Sequence, residues 1–190
     1  GMEPPGWETV GSAGFSKDDA WYPSLALDSS DTPFVAYMDL DKDLKATVMK
    51  FDGMNWVNVG SAGFSPKAAD SISLAIDGND TPYVAFKDRD DPNGYASVMT
   101  FDSESWIYVG SPSFSGYWID TPSLALDSSG TPYVAYWDWG ISNKATVMAY
   151  KPAPSVSTSS PANGAVIQSM DTLTVNFDRD MLHDGSEHAA

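Results

Sequence analysis

The chain repeats itself three times. When it is aligned on itself, Trp7, Trp56 and Trp106 fall in one column, and each opens a segment that ends in Val-Gly-Ser. A run of Ser-Leu-Ala-Leu-Asp at residues 24–28 returns with small changes at 73–77 and 123–127. The period is about 50 residues. A unit of this kind buries its hydrophobic face against its neighbours, so the copies are expected to stack on one another.

Each copy contains four short runs rich in β-branched and aromatic residues. Gly, Pro, Asp, Asn and Ser separate them, which is typical of strands joined by turns. In the first copy the predicted strands are A (residues 24–27), B (34–38), C (46–51) and D (56–60). Asp28, Asp77 and Asp127 each open a connection between A and B, where an aspartate can bond to the nearby backbone. We interpret these three aspartates as structural.

Four strands per repeat predict an all-β protein built from β-propeller blades. The chain begins on a D-type strand at Trp7 and its last unit stops after a C strand at Tyr150, so the leading strand is expected to complete the last blade. Natural rings use about four to eight blades. The three repeats are therefore half of a six-bladed ring, closed by a homodimer with a head-to-tail contact, or a fragment of a larger propeller. The β-trefoil and the β-prism, which also use three four-stranded repeats, remain alternatives.

The predicted domain organisation is a repeat region followed by a short tail. Residues 1–150 hold the three repeats, at 7–55, 56–105 and 106–150. Residues 151–190 begin with the semi-rigid linker Lys-Pro-Ala-Pro and continue into a segment too short to close a core of its own.

Several motifs resemble known repeats. The stretches SLALDSSGTPYVAYWD (residues 123–138), KATVMKFDG (45–53) and WVNVGSAGFS (56–65) are similar to repeats of bacterial cell-surface or secreted propeller proteins. The stretches SSPANGA (159–165) and LTVNFDRDM (173–181) resemble the start of a bacterial Ig-like domain, here truncated. The resemblance implies an extracellular or cell-surface location, although no signal peptide is apparent.

Charge and composition exclude several classes of function. Ten basic and 26 acidic residues give a formal net charge of −16. This charge repels nucleic-acid backbones and anionic lipid, and no apolar run is long enough for a membrane helix. The absence of cysteine removes disulfides and thiolate metal sites.

The copies differ mainly in their D-to-A and B-to-C connections, which leave a blade on the same face. Variable loops on a repeated scaffold are typical of a binding site, and aromatic rings beside carboxylates suit sugars. Packing of the same rings between blades is the structural alternative. The candidate ligand-binding residues are Trp21, Tyr22, Asp39, Asp41, Asp70, Asp88, Asp90, Tyr117, Trp118, Asp120, Trp137, Asp138 and Trp139.

The spacing of Asp39, Asp41 and Asp43 also allows a calcium site, because alternating carboxylates open many calcium loops. Leu44 and Lys50 stand where an EF-hand requires Gly and Glu, and the other copies lack the triplet. A solvated acidic loop is the competing interpretation, and no other cofactor is expected.

The leading functional hypothesis is a non-catalytic extracellular binding or adhesion module for carbohydrate or another cell-surface ligand. One alternative is a structural spacer in a large surface protein. Another is a glycoside hydrolase or lyase that uses paired carboxylates. Enzymatic chemistry is disfavoured, because both histidines lie in the tail at residues 183 and 188 and no nucleophile motif is present.

Overall fold

The computed structural model describes residues 6–89 and 94–153, and beyond them two short strands. Its first unit, Gly1–Tyr150, contains three antiparallel sheets. They are formed by β1 (Ala20–Leu27), β2 (Pro33–Asp39), β3 (Lys45–Phe51) and β4 (Trp56–Asn58); by β5 (Ala69–Ile76), β6 (Pro82–Asp88), β7 (Tyr95–Phe101) and β8 (Trp106–Tyr108); and by β9 (Ile119–Leu126), β10 (Pro132–Asp138) and β11 (Lys144–Ala149).

The second unit, Lys151–Ala190, contains β12 (Val156–Ser160) paired antiparallel with β13 (Thr174–Phe177). The other residues of the predicted Ig-like segment lie outside the described part, apart from residues 151–153 of the linker. The described residues include no helix long and apolar enough to cross a membrane.

The three sheets are propeller-type blades. In each, consecutive strands pair in chain order, and the short strand that opens the second or third repeat, Trp56–Asn58 or Trp106–Tyr108, completes the sheet of the repeat before it. The sheets touch mainly through their A strands, since β5 contacts both β1 and β9. The predicted all-β propeller class is therefore confirmed. The sheets stack face to face in series, with one hydrophobic core on each side of the second sheet, which is the packing of propeller blades and not that of a β-trefoil or a β-prism.

The leading strand predicted at Trp7 is not formed within the chain. Residues 6–9 lie outside any strand, and the Trp7 side chain is fully exposed. The third sheet has the order β11-β10-β9, without a fourth strand in the described residues. The following residues are held by the first sheet instead, because the Val10 carbonyl accepts a hydrogen bond from Trp56 and Phe15 stacks on the same indole.

One tryptophan contact joins the second sheet to the connection before it. The Trp106 indole Nε1 donates to the Val59 carbonyl over 2.9 Å, and its ring stacks on Phe64 with centroids 3.9 Å apart. Gly60 lies between them at φ +69°, and a Cβ there would come within 2.7 Å of the Phe101 ring. Only glycine fits this conformation and this close approach, which explains the repeated Val-Gly-Ser.

Serine hydroxyls make a second repeated contact between sheets. The Leu74 amide donates to Ser24 Oγ over 2.9 Å, and the Leu124 amide donates to Ser73 Oγ over 3.0 Å. Around these bonds lie the hydrophobic contacts of the core, in which Leu74 and Leu124 are both buried. Each sheet is thus fixed to the next by matched polar and apolar contacts.

The A-to-B turns are built on the repeated aspartates. Oδ1 of Asp28 accepts hydrogen bonds from the amides of Ser30 and Thr32, at 2.9 and 2.8 Å. Asp77 and Asp127 accept the same pair of amide bonds in their own turns. Their interpretation as structural residues is therefore confirmed.

The Trp106 contact makes a testable contribution to stability. We expect Trp106→Phe to lower the free energy of unfolding by about 1 kcal/mol, because it leaves the Val59 carbonyl without its indole donor. Trp106→Ala, which also removes the stacking, should cost about 3 kcal/mol. Urea unfolding measures both values. Ile107→Val on the same strand is the control, since Ile107 is exposed; an equal loss there would contradict the assignment.

The turn aspartates should make the stability of the fold depend on pH in the acid range. Hydrogen bonds from the Ser129 hydroxyl and the Thr131 amide hold the pKa of Asp127 below its ordinary value. A depressed folded-state pKa adds stability that is present above the unfolded-state pKa, about 4, and is lost as pH falls through the folded value. We therefore expect the melting temperature to fall below about pH 4.

The pH dependence can be assigned with one variant. Asp127→Asn should make this loss of melting temperature less steep, because the amide cannot titrate. Asp31→Asn is the control, since Asp31 lies in the equivalent turn of the first sheet, at a left-handed φ of +61° that asparagine tolerates. An unchanged slope in Asp127→Asn would contradict the assignment.

Candidate ligand-binding face

The D-to-A and B-to-C connections meet on one face of the sheets. The Leu40 amide donates to the Asp19 carbonyl over 3.2 Å. Arg89 donates in the same way to Ala68, and Trp139 to Trp118, over 3.0 and 3.1 Å. We call this surface the loop face; it consists of residues 16–22 and 39–44 and their counterparts 65–71, 88–89, 115–121 and 138–143.

The backbone of the loop face is held by the same bonds in every repeat. The hydroxyls of Ser16, Ser65 and Ser115 each donate to the carbonyl two residues further on, over 2.7 to 2.8 Å. The side chains on this frame differ in size and charge. Equivalent positions hold Asp18, Lys67 and Tyr117; Asp19, Ala68 and Trp118; and Leu40, Arg89 and Trp139.

The third repeat presents a group of exposed aromatic rings. Tyr117, Trp137 and Trp139 are 54%, 42% and 49% exposed. The rings of Trp137 and Trp139 are tilted against each other with centroids 5.9 Å apart. Tyr117 lies directly on Gly140, where a Cβ would come within 2.6 Å of its ring carbons. Trp118, which is half-buried, contacts Tyr117 at 6.0 Å.

Every A strand carries a β-bulge just below the loop face. The pairing shifts between Trp21 and Ser24 in β1, and at the same place in β5 and β9. The bulged residues Tyr22, Ser71 and Thr121 all have positive φ, between 44° and 53°. Such values strain a residue that has a Cβ, most of all a β-branched one. Bulges re-aim side chains, and these lie where the three sheets approach one another.

The bulges bring together a polar cluster from all three sheets. Arg89 Nε lies 3.8 Å from an Asp70 oxygen, and Lys87 Nζ lies 3.7 Å from Asp120 Oδ1. The pKa of Tyr22 is raised, and the charge of Asp70 is the largest cause. Burial, a hydrogen bond with Asp70 and the charge of Asp120 raise this pKa further, whereas the charge of Arg89 lowers it. We call Tyr22, Asp70, Lys87, Arg89 and Asp120 the bulge cluster.

Two of the predicted site residues are caps of short turns. Asp39 is 4% exposed, and its carboxylate accepts from the Asp41 amide and from Thr47 Oγ1, at 3.0 and 2.8 Å. Asp138 makes the matching bonds to Gly140 and Thr146. These carboxylates cap the 3-10 turns Leu40–Lys42 and Trp139–Ile141.

The capping aspartates belong to a column that is repeated in all three copies. Asp88, the third member of the column, is also buried, at 7% exposed. Asp39, Asp88 and Asp138 stand at the same position in all three copies, which is the pattern of a structural residue. We therefore leave them out of the ligand site. Asp90, another predicted site residue, lies outside the described part of the chain.

The aspartates of the predicted calcium site have other partners in the structure. Asp39 turns inward to Thr47, and Asp41 pairs with Lys17 and Lys42 at 2.6 and 2.8 Å. These lysines hold the pKa of Asp41 below its ordinary value. Among the described residues, no three His, Cys, Asp or Glu side chains are grouped so that they could hold a metal ion. The ammonium groups of Lys17 and Lys42 therefore balance the charge of Asp41, which the sequence analysis had assigned to a calcium ion.

The sequence interpretation overlooked two cations at the edge of the loop face. Lys87 and Arg89 flank the repeated Asp88 and pair with the predicted carboxylates of Asp120 and Asp70. A signal was present, because Lys87 replaces the hydrophobic Met38 and Trp137 of the other repeats. Trp21 and Tyr22, both 48% exposed, lie on the loop face as expected.

Comparison with known proteins places the chain in no family. No family model matches it, and no curated protein sequence matches it. Among solved structures it is similar to a thermostable family-43 glycoside hydrolase, with TM-score 0.46 and 13% identity over 67% of this chain and 44% of that one. The chain thus spans about half the length of that hydrolase.

Two other similar structures cover different shares of their own length. One is a fucose lectin from Kordia zhangzhouensis in complex with methyl-fucoside, with TM-score 0.45 and 14% identity over 81% of this chain and 96% of that one. The other is a family-43 endo-arabinanase from Bacillus licheniformis, with TM-score 0.44 and 19% identity over 77% and 59%. These likenesses concern the fold, which rests on the sheets described above.

The bulge cluster can be tested by titration. We expect the Tyr22 phenol to titrate above its ordinary value of 10.0, and Asp70→Asn to lower that pKa, because the Asp70 charge is its largest cause. NMR of tyrosine ring carbons against pH measures it. Asp77→Asn, in an A-to-B turn, is the control and should leave Tyr22 unchanged. A Tyr22 pKa that does not respond to Asp70→Asn would contradict the cluster.

Proposed function

We propose that the chain is a non-catalytic carbohydrate-binding module and that the loop face is its binding surface. One observation supports this most directly. The backbone of that face is held by the same hydrogen bonds in all three repeats, while its side chains differ and include the exposed aromatic rings of Tyr117 and Trp139. A rigid frame with varied side chains is the usual form of a loop-borne binding site.

The side chains of the face suit a sugar. Tyr117 and Trp139 offer flat rings on which the C–H face of a sugar can stack, and their exposed sides are open to solvent. Asp120 is the cross-strand partner of Trp137, so a carboxylate that accepts bonds from hydroxyls lies beside an aromatic ring. Arg89 and Lys87 add donors at the bulge cluster.

Two other hypotheses compete with this proposal. A pure spacer would bury its aromatic side chains, whereas Tyr117 and Trp139 on the loop face are each more than 40% exposed. A glycoside hydrolase needs one carboxyl group that retains its proton to protonate the leaving group. Asp70 and Asp120 each form an ion pair, with Arg89 at 3.8 Å and Lys87 at 3.7 Å, so both carboxylates are already engaged by a cation of the bulge cluster.

The setting of the module is part of the same proposal. Carbohydrate binding agrees with the extracellular or cell-surface location that the repeat motifs suggest. The tail, residues 151–190, is proposed to begin an Ig-like domain that spaces the module from the rest of a larger surface protein.

A glycan array followed by calorimetry tests the function. We expect the full chain to bind at least one glycan, and Tyr117→Ala and Trp139→Ala each to weaken binding at least tenfold, about 1.4 kcal/mol, because stacking is lost. Met54→Ala is the control, since Met54 is 79% exposed in the C-to-D turn, away from the loop face. Absence of glycan binding, or binding that neither variant weakens, would refute the proposal.

The repeated frame permits a gain-of-binding version of the same test. Asp18→Tyr, Asp19→Trp, Leu40→Trp and Asp41→Gly together place the residues of the third repeat on the matching positions of the first, including the glycine on which the tyrosine ring lies. Because the backbone bonds are the same, the quadruple variant should bind a second equivalent of the glycan. An unchanged stoichiometry would show that the ligand does not use these positions.

A further inference from the structure

The first and third sheets each have one face that no other sheet covers. The same faces are covered in the neighbouring sheets. Leu74 and Leu124 are 6% and 8% exposed, whereas Leu25, at the same position of the first sheet, is 65% exposed. On the opposite side, Val48 and Val98 are 1% and 3% exposed. Val147, their counterpart in the third sheet, is 64% exposed. The two open faces are thus the two halves of the inter-sheet contact that occurs twice within the chain.

The third sheet also has the surroundings of a D-strand tryptophan, but no tryptophan of the described residues lies there. Val109, Gly110, Phe114 and Tyr150 correspond to the residues that surround Trp106 in the second sheet. Gly110 has φ +73°, and a Cβ there would come within 2.9 Å of the Tyr150 ring, just as Gly60 approaches Phe101. Phe114 donates its amide to Ala96, as Phe64 does to Ala46, so the position is already shaped. In the described residues no indole fills it.

We propose that a second copy of the chain fills this position with Trp7. Residues 7–9 of the second copy would pair with β11 as its missing fourth strand. The register follows from the first sheet, where Met49, Lys50 and Phe51 pair with Asn58, Val57 and Trp56. The equivalent intermolecular pairs are Met148 with Thr9, Ala149 with Glu8, and Tyr150 with Trp7.

The remaining donors and acceptors match across the same contact. The Trp7 indole of the second copy donates to the Val109 carbonyl, as Trp106 does to Val59. Its Leu25 amide donates to Ser123 Oγ, as Leu74 and Leu124 donate to Ser24 and Ser73. Both kinds of hydrogen bond that join neighbouring sheets within the chain are thus repeated once between the two chains.

A groove on the open face of the third sheet fits this occupant. It has a volume of about 450 Å³. In the first sheet the counterparts of two of its residues, Ala36 and Ala46, are both 0% exposed in the core shared with the second sheet, whereas Ala135 and Ala145 are not buried. The A strand of the second copy would cover the groove in the same way. The groove is lined by Thr121, Ser123, Ala135, Tyr136, Trp137 and Ala145.

A second copy is the occupant to which the two existing contacts point, because its open face repeats the covered faces of the second and third sheets. The contact is head to tail, and such a contact either closes a ring or extends into a filament. Closure after two chains gives six blades, within the usual range of about four to eight. This inference stands independently of carbohydrate binding.

Engineered cysteines test the proposed register, because the chain has no cysteine of its own. We expect Thr9→Cys with Met148→Cys to form disulfides between chains on mild oxidation, giving a covalent dimer on a non-reducing gel. Met49→Cys with Asn58→Cys is the matched control at the equivalent pair within one sheet and should cross-link within the chain. A Thr9–Met148 bond within one chain, or no bond at all, would overturn the proposal.

Light scattering of the full chain provides the second readout. We expect a dimer mass at about 0.15 M salt, where the repulsion between two chains of net charge −16 is screened. Trp7→Ala should raise the dissociation constant at least tenfold, and Met54→Ala should not. A monomer at all concentrations, or a dimer that tolerates Trp7→Ala, would overturn the proposal. Tyr117→Ala and Trp139→Ala should leave the mass unchanged, which separates this test from that of glycan binding.

Discussion

The contact of a D-strand tryptophan with the connection before it is the constraint on which the architecture depends. Trp106 fills the space above Gly60 and accepts the Phe64 ring on its face, so the second sheet is fixed to the end of the first. Trp56 does the same with Val10 and Phe15. A single four-stranded sheet leaves hydrophobic residues open on both faces. Stacking is what buries them, and it leaves an open face at each end of the series.

The loop face depends on that stacking as well. The bonds between the D-to-A and B-to-C connections are made within a repeat, but the bulge cluster exists only because Tyr22, Asp70 and Asp120 come from three sheets that are packed together. Because the scaffold is repeated, its backbone is nearly the same in every repeat. The repeats differ mainly in side chains that face solvent. This division allows one frame to carry an acidic, a basic and an aromatic surface side by side.

Much of the fold was predictable from the sequence, and the site less so. The strands, the structural aspartates and the aromatic character of the third repeat follow from local chemistry and from comparison of the copies. The bulge that lengthens each A strand to residue 20, 69 or 119 was missed, because a non-glycine residue at positive φ has no sequence signature. The sequence did not predict the ion pair of Asp41 with Lys17, because the two residues are distant in sequence.

The sequence by itself determined that the chain forms three similar sheets with constant turns and variable loops, because strand alternation, turn residues and repetition are local properties. Only the tertiary structure decided which aspartates are caps and which are exposed, since Asp39 and Asp120 differ in burial and partners rather than in residue type. The tertiary structure also decided that Trp7 stays outside the third sheet. A strand forms only where a partner edge is within reach, and reach depends on how the sheets stack.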